Sequence, residues 1–161
     1  MRIGFGEDIH RTTDGKPLLL GGILIKEGPQ LIGHSDADVL LHAITDAILG
    51  AAALGDIGTH FPENDETWLN MNSDHFLETA INLAKGKGLR LINVDATIKA
   101  KSPKLSPYIR AIRNRIAEIL AIEIDNVSIK AKSNEGLDSV GEGAAIAASA
   151  IVLMEETASN K

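Results

Sequence analysis

Asp8 and His10 stand two residues apart at the end of a short N-terminal stretch, residues 2–6, that reads as the start of a strand. The strand period of two turns both side chains to one face. A carboxylate beside an imidazole begins a metal site, although any solvated strand end can carry the same pair. His42 supplies a third donor. The chain has no cysteine, which excludes disulfides and thiolate sites, so a metal would sit on His, Asp or Glu. Asp8, His10 and His42 offer two nitrogens and one oxygen. A catalytic zinc takes three such protein ligands and keeps a fourth position open. Their separation along the chain leaves their contact to the fold.

His42 lies in a segment where Ala37, Val39, Leu40, Leu41, Ala43, Ile44, Ala47, Ile48 and Ala51 are apolar. They cover most of a helical circumference, so a largely buried helix is expected over 37–54, capped by Ser35 or Asp36. Asp38, His42 and Asp46 fall at i, i+4 and i+8 on one stripe of it. That stripe is either a solvated face or an imidazole whose second nitrogen is held by a carboxylate. On the latter reading Asp38 and Asp46 are the holders. His34 and Ser35 precede the helix, whose N-terminus would offer free N–H groups to an anion. Lys99, Lys101, Lys104, Lys130 and Lys132 gather at the ends of two candidate strands and could line a phosphate pocket. Ser133-Asn134-Glu135 follows the second of these strands. It is either a simple turn or a hydroxyl and a carboxylate suited to a diphosphate and its divalent cation.

The elements that must position these groups are those of one α+β domain, residues 1–157 with a short tail at 158–161. At 161 residues and 44% apolar, the chain can bury one core. Only 3% is aromatic, so aliphatic residues must fill that core. Leu18 to Ile25 reads as a hairpin about Gly21-Gly22. An irregular loop over 55–65 is followed by a helix from Ser73 to the lysine–glycine run at 85–88. A strand over 91–100 comes next, then a helix capped by Ser106 with Pro107 in its first turn and reaching about Ile122, then a strand over 127–131. Residues 142–156 suit helix by their alanines and strand by Ile151-Val152-Leu153. A net charge of −6 argues against a broad basic face for nucleic acid. No apolar run approaches the ~18 residues of a membrane span, and no signal pattern opens the chain. A cytoplasmic setting is expected, or a plastid one if a leader has been removed.

Taken together these residues resemble the 2-C-methyl-D-erythritol 2,4-cyclodiphosphate synthase family, from Arg2 to about Leu153. The marks are Gly6-Glu7-Asp8-Ile9-His10, His34-Ser35-Asp36-Ala37-Asp38, Leu41-His42-Ala43 and Thr45-Asp46-Ala47. The long block from Gly50 to Gly58, ending Gly-Asp-Ile-Gly, is the most specific. Phe61-Pro62, Asn93-Val94-Asp95, Pro103-Lys104 and Gly141-Glu142-Gly143 complete the set. The resemblance implies that Asp8, His10 and His42 bind zinc, and that Glu135 addresses a diphosphate through Mg2+ or Mn2+. Asp56 and Gly58 would hold ribose, and Ile57, Asp8 and His10 would also touch the substrate. Phe61, Pro62, Glu63, Asn64 and Asp65, with His34 and Ser35, would face the methylerythritol phosphate. Ala100, Lys101, Ser102, Pro103, Lys104, Leu105 and Ser106 would cradle cytosine, and Lys132, Ser133 and Asn134 would border the diphosphate. His34 and Ser133 are the expected catalytic residues.

A homotrimer with sites between neighbouring subunits is also implied, each subunit a mixed sheet backed by helices on one side. In that fold residues 142–156 contribute a strand. Glu7, Glu63 and Ser133 depart from the usual aromatic, Asp and Thr. Residues 136–140 are shorter than the family pattern and lack the Phe and Arg that line a cavity on the trimer axis. The expected reaction is attack of a substrate's own 2-phosphate on its β-phosphorus, closing a cyclic diphosphate and releasing CMP. Metal-dependent nucleotide hydrolysis by the same three ligands is the alternative, and a non-catalytic trimeric binder is a further one.

Overall fold

The computed structural model describes residues 1–62 and 64–157. The tail at 158–161 and Glu63 lie outside them. A five-stranded sheet has the order β4-β1-β7-β5-β6, from β1 (Arg2–Thr13), β4 (Gln30–Ile32), β5 (Leu89–Lys99), β6 (Val127–Lys132) and β7 (Ala145–Glu156). Only β5 and β6 run parallel, joined through helix α4 (Ile109–Leu120), so the sheet is mixed. β1 runs through the Asp8/His10 pair to Thr13, longer than its apolar start suggests, because β7 pairs with it from Arg2 to Arg11. Residues 145–156 form a strand, as the resemblance implies, preceded by the short helix α5 (Asp138–Glu142). Inside the sheet the period-two alternation of Ala148, Ala150, Val152 and Met154 outweighs helix propensity.

The hairpin consists of β2 (Leu18–Leu20) and β3 (Ile23–Ile25). Its turn places Gly21 and Gly22 at φ 61° and 72°, a two-residue geometry with both residues left-handed. Helix α1 (Val39–Ala51) lies across β1 and β7, and α3 (Ser73–Gly86) packs beside it. Every residue of α1 except Asp46 and Gly50 is buried. That apolar helix is therefore covered within its own chain. What remains open is the other face of the sheet, where Ile3, Phe5 and Ile9 of β1 and Ile151 of β7 are exposed. Among the described residues, α1 covers the opposite face, against β1 and β7.

Two helix starts differ from expectation. α1 begins at Val39 with Asp38 as its cap, not Ser35 or Asp36. The Asp38 carboxylate accepts the N–H groups of Leu40 and Leu41, so those two are spent on the cap and are not free for an anion. α4 starts after Tyr108 with no side-chain cap, leaving Ser106 and Pro107 in the preceding turn. The 55–65 loop holds one short helix, α2 (Ile57–His60). Among the described residues no helix is long and apolar enough to cross a membrane.

Candidate functional site

Gly4 and Gly6 let α1 approach β1 closely, and this approach brings His42 over Asp8 and His10. Asp8 Oδ2 lies 2.9 Å from His10 Nε2 and 3.0 Å from His42 Nδ1. The two ring nitrogens are 3.2 Å apart. Two imidazoles and a carboxylate thus aim three donor atoms at one point, all within 4.8 Å of one another. Zinc with Zn–N bonds of ≈ 2.0–2.1 Å in tetrahedral geometry needs donors about 3.3 Å apart. The observed separations are within a few tenths of that, so these residues fit a divalent metal of this kind. His10 turns its other nitrogen, Nδ1, to the Ile32 carbonyl at 2.8 Å. His42 turns Nε2 to the hydroxyls of Ser73 and Ser35 at 2.8 and 3.1 Å.

Electrostatics follow the same geometry. Burial pushes the Asp8 carboxyl upward, but hydrogen bonds and charge from His10 and His42 overcome it and hold it well below the usual carboxylate range. For His10, burial works downward and is outweighed by the Asp8 hydrogen bond and charge, so its pKa is raised. Burial raises the pKa of Asp46, helped by the charges of Asp56 and Asp8 and opposed by an Ile57 N–H.

Above the three donors opens a cavity lined by Glu7, His34, Ser35, Asp46, Ile57, Gly58, Phe61, Trp68 and Phe76. Its wall is aromatic: the Phe61 and Phe76 centroids are 4.5 Å apart, and Trp68 meets Phe61 edge-on at 5.1 Å. His34, Ser35, Ile57, Gly58 and Phe61, named from sequence, thus share one cavity with the candidate ligands. Asp56 caps α2, accepting from the Thr59 N–H and hydroxyl at 2.8 and 2.7 Å. Pro62 is half-buried, while Asn64 and Asp65 are exposed, with Asp65 accepting the Thr67 N–H. Glu63 lies outside the described residues.

The remaining site residues stand elsewhere. Neither residues 100–106 nor Lys132–Glu135 line this cavity. They follow β5 and β6, the second and third strands from β1, which at ≈ 4.8 Å per step puts β6 about 14 Å away. Lys101, Ser102, Lys104 and Ser106 are exposed there, Pro103 is half-buried, and Ala100 and Leu105 are buried. Lys99 and Lys132 are register partners, while Lys130 pairs with Asp95 and Lys101 donates to the Glu142 carbonyl. Ser133 Oγ donates to Glu135 Oε1 at 3.0 Å. Asn134 and Glu135 hold φ of 59° and 50°, and Asp138 holds 59°. Such left-handed residues cost about 1–3 kcal/mol each and cluster at functional sites.

Two assignments are corrected. Asp38 does not hold His42: besides capping α1, its carboxylate accepts the N–H groups of Gly21 and Gly22 at 2.9 and 2.7 Å. Asp46 faces the cavity, but Oδ1 accepts the Ile57 N–H at 2.7 Å and does not reach the imidazole's second nitrogen. The i, i+4 spacing puts these acids beside His42 on the helix surface, whereas Nε2 points away towards α3. Trp68, Phe76 and Ser73 were not anticipated at the site. The aromatic pair in a chain so poor in aromatics was the available signal.

A mixed sheet backed by helices, with two imidazoles and a carboxylate beneath an aromatic-walled cavity, defines an α+β domain with a candidate divalent-metal centre. The model of the YgbB family matches residues 1–155, and the chain belongs to that family. It is 54% identical over 156 residues to the 2-C-methyl-D-erythritol 2,4-cyclodiphosphate synthase of Gloeobacter violaceus, covering 97% of this chain and 96% of that one. The synthase of the same name from Shouchella clausii is 51% identical over 156 residues, covering 97% and 98%. A solved 2C-methyl-D-erythritol-2,4-cyclodiphosphate synthase with CDP bound superposes with a TM-score of 0.89 at 36% identity, over 96% of this chain and all of that one.

Proposed function

We propose that this chain converts 4-diphosphocytidyl-2-C-methyl-D-erythritol 2-phosphate into 2-C-methyl-D-erythritol 2,4-cyclodiphosphate and CMP, in non-mevalonate isoprenoid synthesis. The observation that carries the reading is the convergence of Asp8, His10 and His42 beneath the cavity, in a chain half identical to synthases of that name. Asp8, His10 and His42 would hold zinc, and Glu135 would hold Mg2+ or Mn2+. Bound there, the two cations supply Lewis-acid charge withdrawal from the diphosphate and a template for its orientation. The attacking 2-phosphate oxygen is already ionised, so no residue need remove a proton. The chain's part is to fold the substrate so that attacker and β-phosphorus meet, which in favourable intramolecular cases removes up to ~7–11 kcal/mol of barrier. His34 and Ser35 would grip the methylerythritol phosphate while Phe61, Trp68 and Phe76 exclude water. Asp56 and Gly58 would take ribose, residues 100–106 cytosine, and Lys132 to Glu135 the diphosphate, with the Ser133 hydroxyl aimed at charge that develops as the ring closes.

The same reading makes the protein a homotrimer. Support comes from the division of the site: the metal half and the nucleotide half stand on different strands of one chain, with β6 about 14 Å from β1. The open sheet face, with Ile3, Phe5, Ile9 and Ile151 exposed, is apolar surface a second and third copy would cover. The test is product analysis with the cytidylyl substrate. CMP and a cyclic diphosphate are expected, and His42→Ala should lose both turnover and stoichiometric zinc. A linear phosphate product would overturn the proposal in favour of nucleotide hydrolysis.

A further inference from the structure

We infer that Ser73 and Asp36 are positioning residues that fix His42 as its Nε2–H tautomer and so present the bare Nδ1 nitrogen to the metal. The inference rests on the proposed metal centre. Neutral imidazole carries one proton, and the nitrogen that keeps it is set by what the other side of the ring bonds to. A metal ligand must turn a lone pair inward, and Nδ1 is the inward atom of His42, 3.0 Å from Asp8 Oδ2.

The direction of each hydrogen bond can be followed outward from the ring. Nε2 lies 2.8 Å from Ser73 Oγ, the hydroxyl of a residue with no solvent exposure. A serine hydroxyl has one proton to give. Ser73 gives it to Asp36 Oδ1 in a short contact with a carboxylate, which accepts and cannot donate when ionised. Ser73 Oγ is then left with only lone pairs for His42, so the proton between them belongs to Nε2. The orientation of Asp36 is itself fixed. Its Oδ2 accepts the backbone N–H of Ser73 at 2.8 Å, and its Oδ1 accepts that of Asp38 at 3.2 Å. The backbone N–H of Asp36 returns to the Met71 carbonyl at 3.1 Å. Ser35 Oγ also touches Nε2, but at 3.1 Å. No carboxylate among its hydrogen-bond partners dictates where its proton goes. Asp38 and Asp46, the acids beside His42 on its own helix, are spent on backbone N–H groups. His10 is arranged in the same sense by a simpler device, the Ile32 carbonyl on Nδ1, which leaves Nε2 bare.

The pair also ties two segments together. Asp36 lies between Ser35 of the cavity lining and α1, and Ser73 opens α3 just after the turn that carries Trp68. A purely structural clamp would hold these segments without affecting the ring's proton, and the test separates the two roles. Long-range 15N–1H spectra of the metal-free protein at alkaline pH report the tautomer, and chelator competition reports zinc affinity. These spectra are taken in an Asp8→Ala background, because in the metal-free wild type the Asp8 carboxylate 3.0 Å from Nδ1 competes for the ring's one proton. In that background His42 should be mainly the Nε2–H form. Ser73→Ala should give a tautomer mixture and, with Asp8 in place, weaken zinc binding by about 10–100-fold. Asp36→Asn, which creates no cavity, should shift the tautomer in the same direction because the Ser73 hydroxyl is freed to donate to Nε2. Ser35→Ala should leave the tautomer unchanged. An unaltered tautomer in both Ser73→Ala and Asp36→Asn overturns the inference, even if zinc affinity falls, since the pair is then only a clamp. The metal reading fails separately, if His42→Ala keeps stoichiometric zinc, and the tautomer measurement does not depend on that result.

Discussion

Gly6→Ala should damage the proposed metal centre without altering any of its three candidate ligands. A Cβ built on Gly6 stands 2.2 Å from the Ala43 carbonyl oxygen and 2.6 Å from the Ala47 backbone nitrogen. Real Cβ contacts essentially never fall below 3.0 Å, so strand and helix must separate by roughly 0.8 Å. Neither atom can yield alone, because both belong to the backbone of a buried helix. His42 precedes Ala43 on α1, and Asp8 is the next residue after Gly6 on the same face of β1, so the gap between ligands opens by a similar amount. Metal sites hold their distances to about ±0.2 Å, several times less than this displacement. Zinc affinity should therefore fall markedly, and turnover by about 100-fold. Overpacking also costs about 1–3 kcal/mol, a fall of about 2–12 °C in the Tm of the metal-free protein. Gly86→Ala is the control: nothing lies within 4 Å of its Cβ and its φ is not positive, so the change should be neutral or stabilising by up to ~1 kcal/mol. Chelator competition and calorimetry on both variants decide the matter. Wild-type zinc affinity in Gly6→Ala would refute the claim that this glycine sets the spacing of the ligands.

Two further outcomes follow from the charges at the donor cluster and from the division of the site. In the metal-free protein the Asp8–His10 contact raises the folded pKa of His10 above 6.5 and lowers that of Asp8 below 3.8. The His10 contribution to stability is full below its unfolded pKa and is lost as pH rises through the folded value. The Asp8 contribution is present above its unfolded pKa and is lost as pH falls through the folded one. The excess Tm of metal-free wild type over Asp8→Asn should thus be largest between about 3.8 and 6.5 and shrink on the alkaline side, and a gap independent of pH would exclude the coupling. If each active site takes its three metal ligands from one subunit and Ser133 from the next, co-expressed His42→Ala and Ser133→Ala chains should regain roughly one quarter of wild-type activity, because random mixing pairs two intact halves at that frequency. Mixtures no more active than either variant alone would place both halves within one chain.

What the residues revealed in advance divides by the distance over which each signal acts. The period of two placed Asp8 and His10 on one face, and β1 bears that out over its length. The Gly21-Gly22 turn and the burial of α1 were equally legible, being written in consecutive residues. Boundaries were less so. Asp38 took the cap from Ser35 and Asp36 because its carboxylate also satisfies Gly21 and Gly22 of a hairpin that the sequence does not place beside the helix. For residues 142–156 the alanines and the Ile151-Val152-Leu153 run pull in opposite directions, and pairing with β1 on one side and β5 on the other decided for strand. Least legible was what holds His42. The stripe of Asp38, His42 and Asp46 pointed to neighbours at helical spacing, yet the imidazole reaches across to Ser73, 31 residues away along the chain. Helical spacing specifies which side chains share a surface, but a histidine has two nitrogens facing opposite ways. Once Nδ1 turns to Asp8, Nε2 must be answered by whatever packs on the far side of the ring. Here that is the first turn of α3, a position set by the packing of α1 against α3 that no local pattern around His42 could disclose.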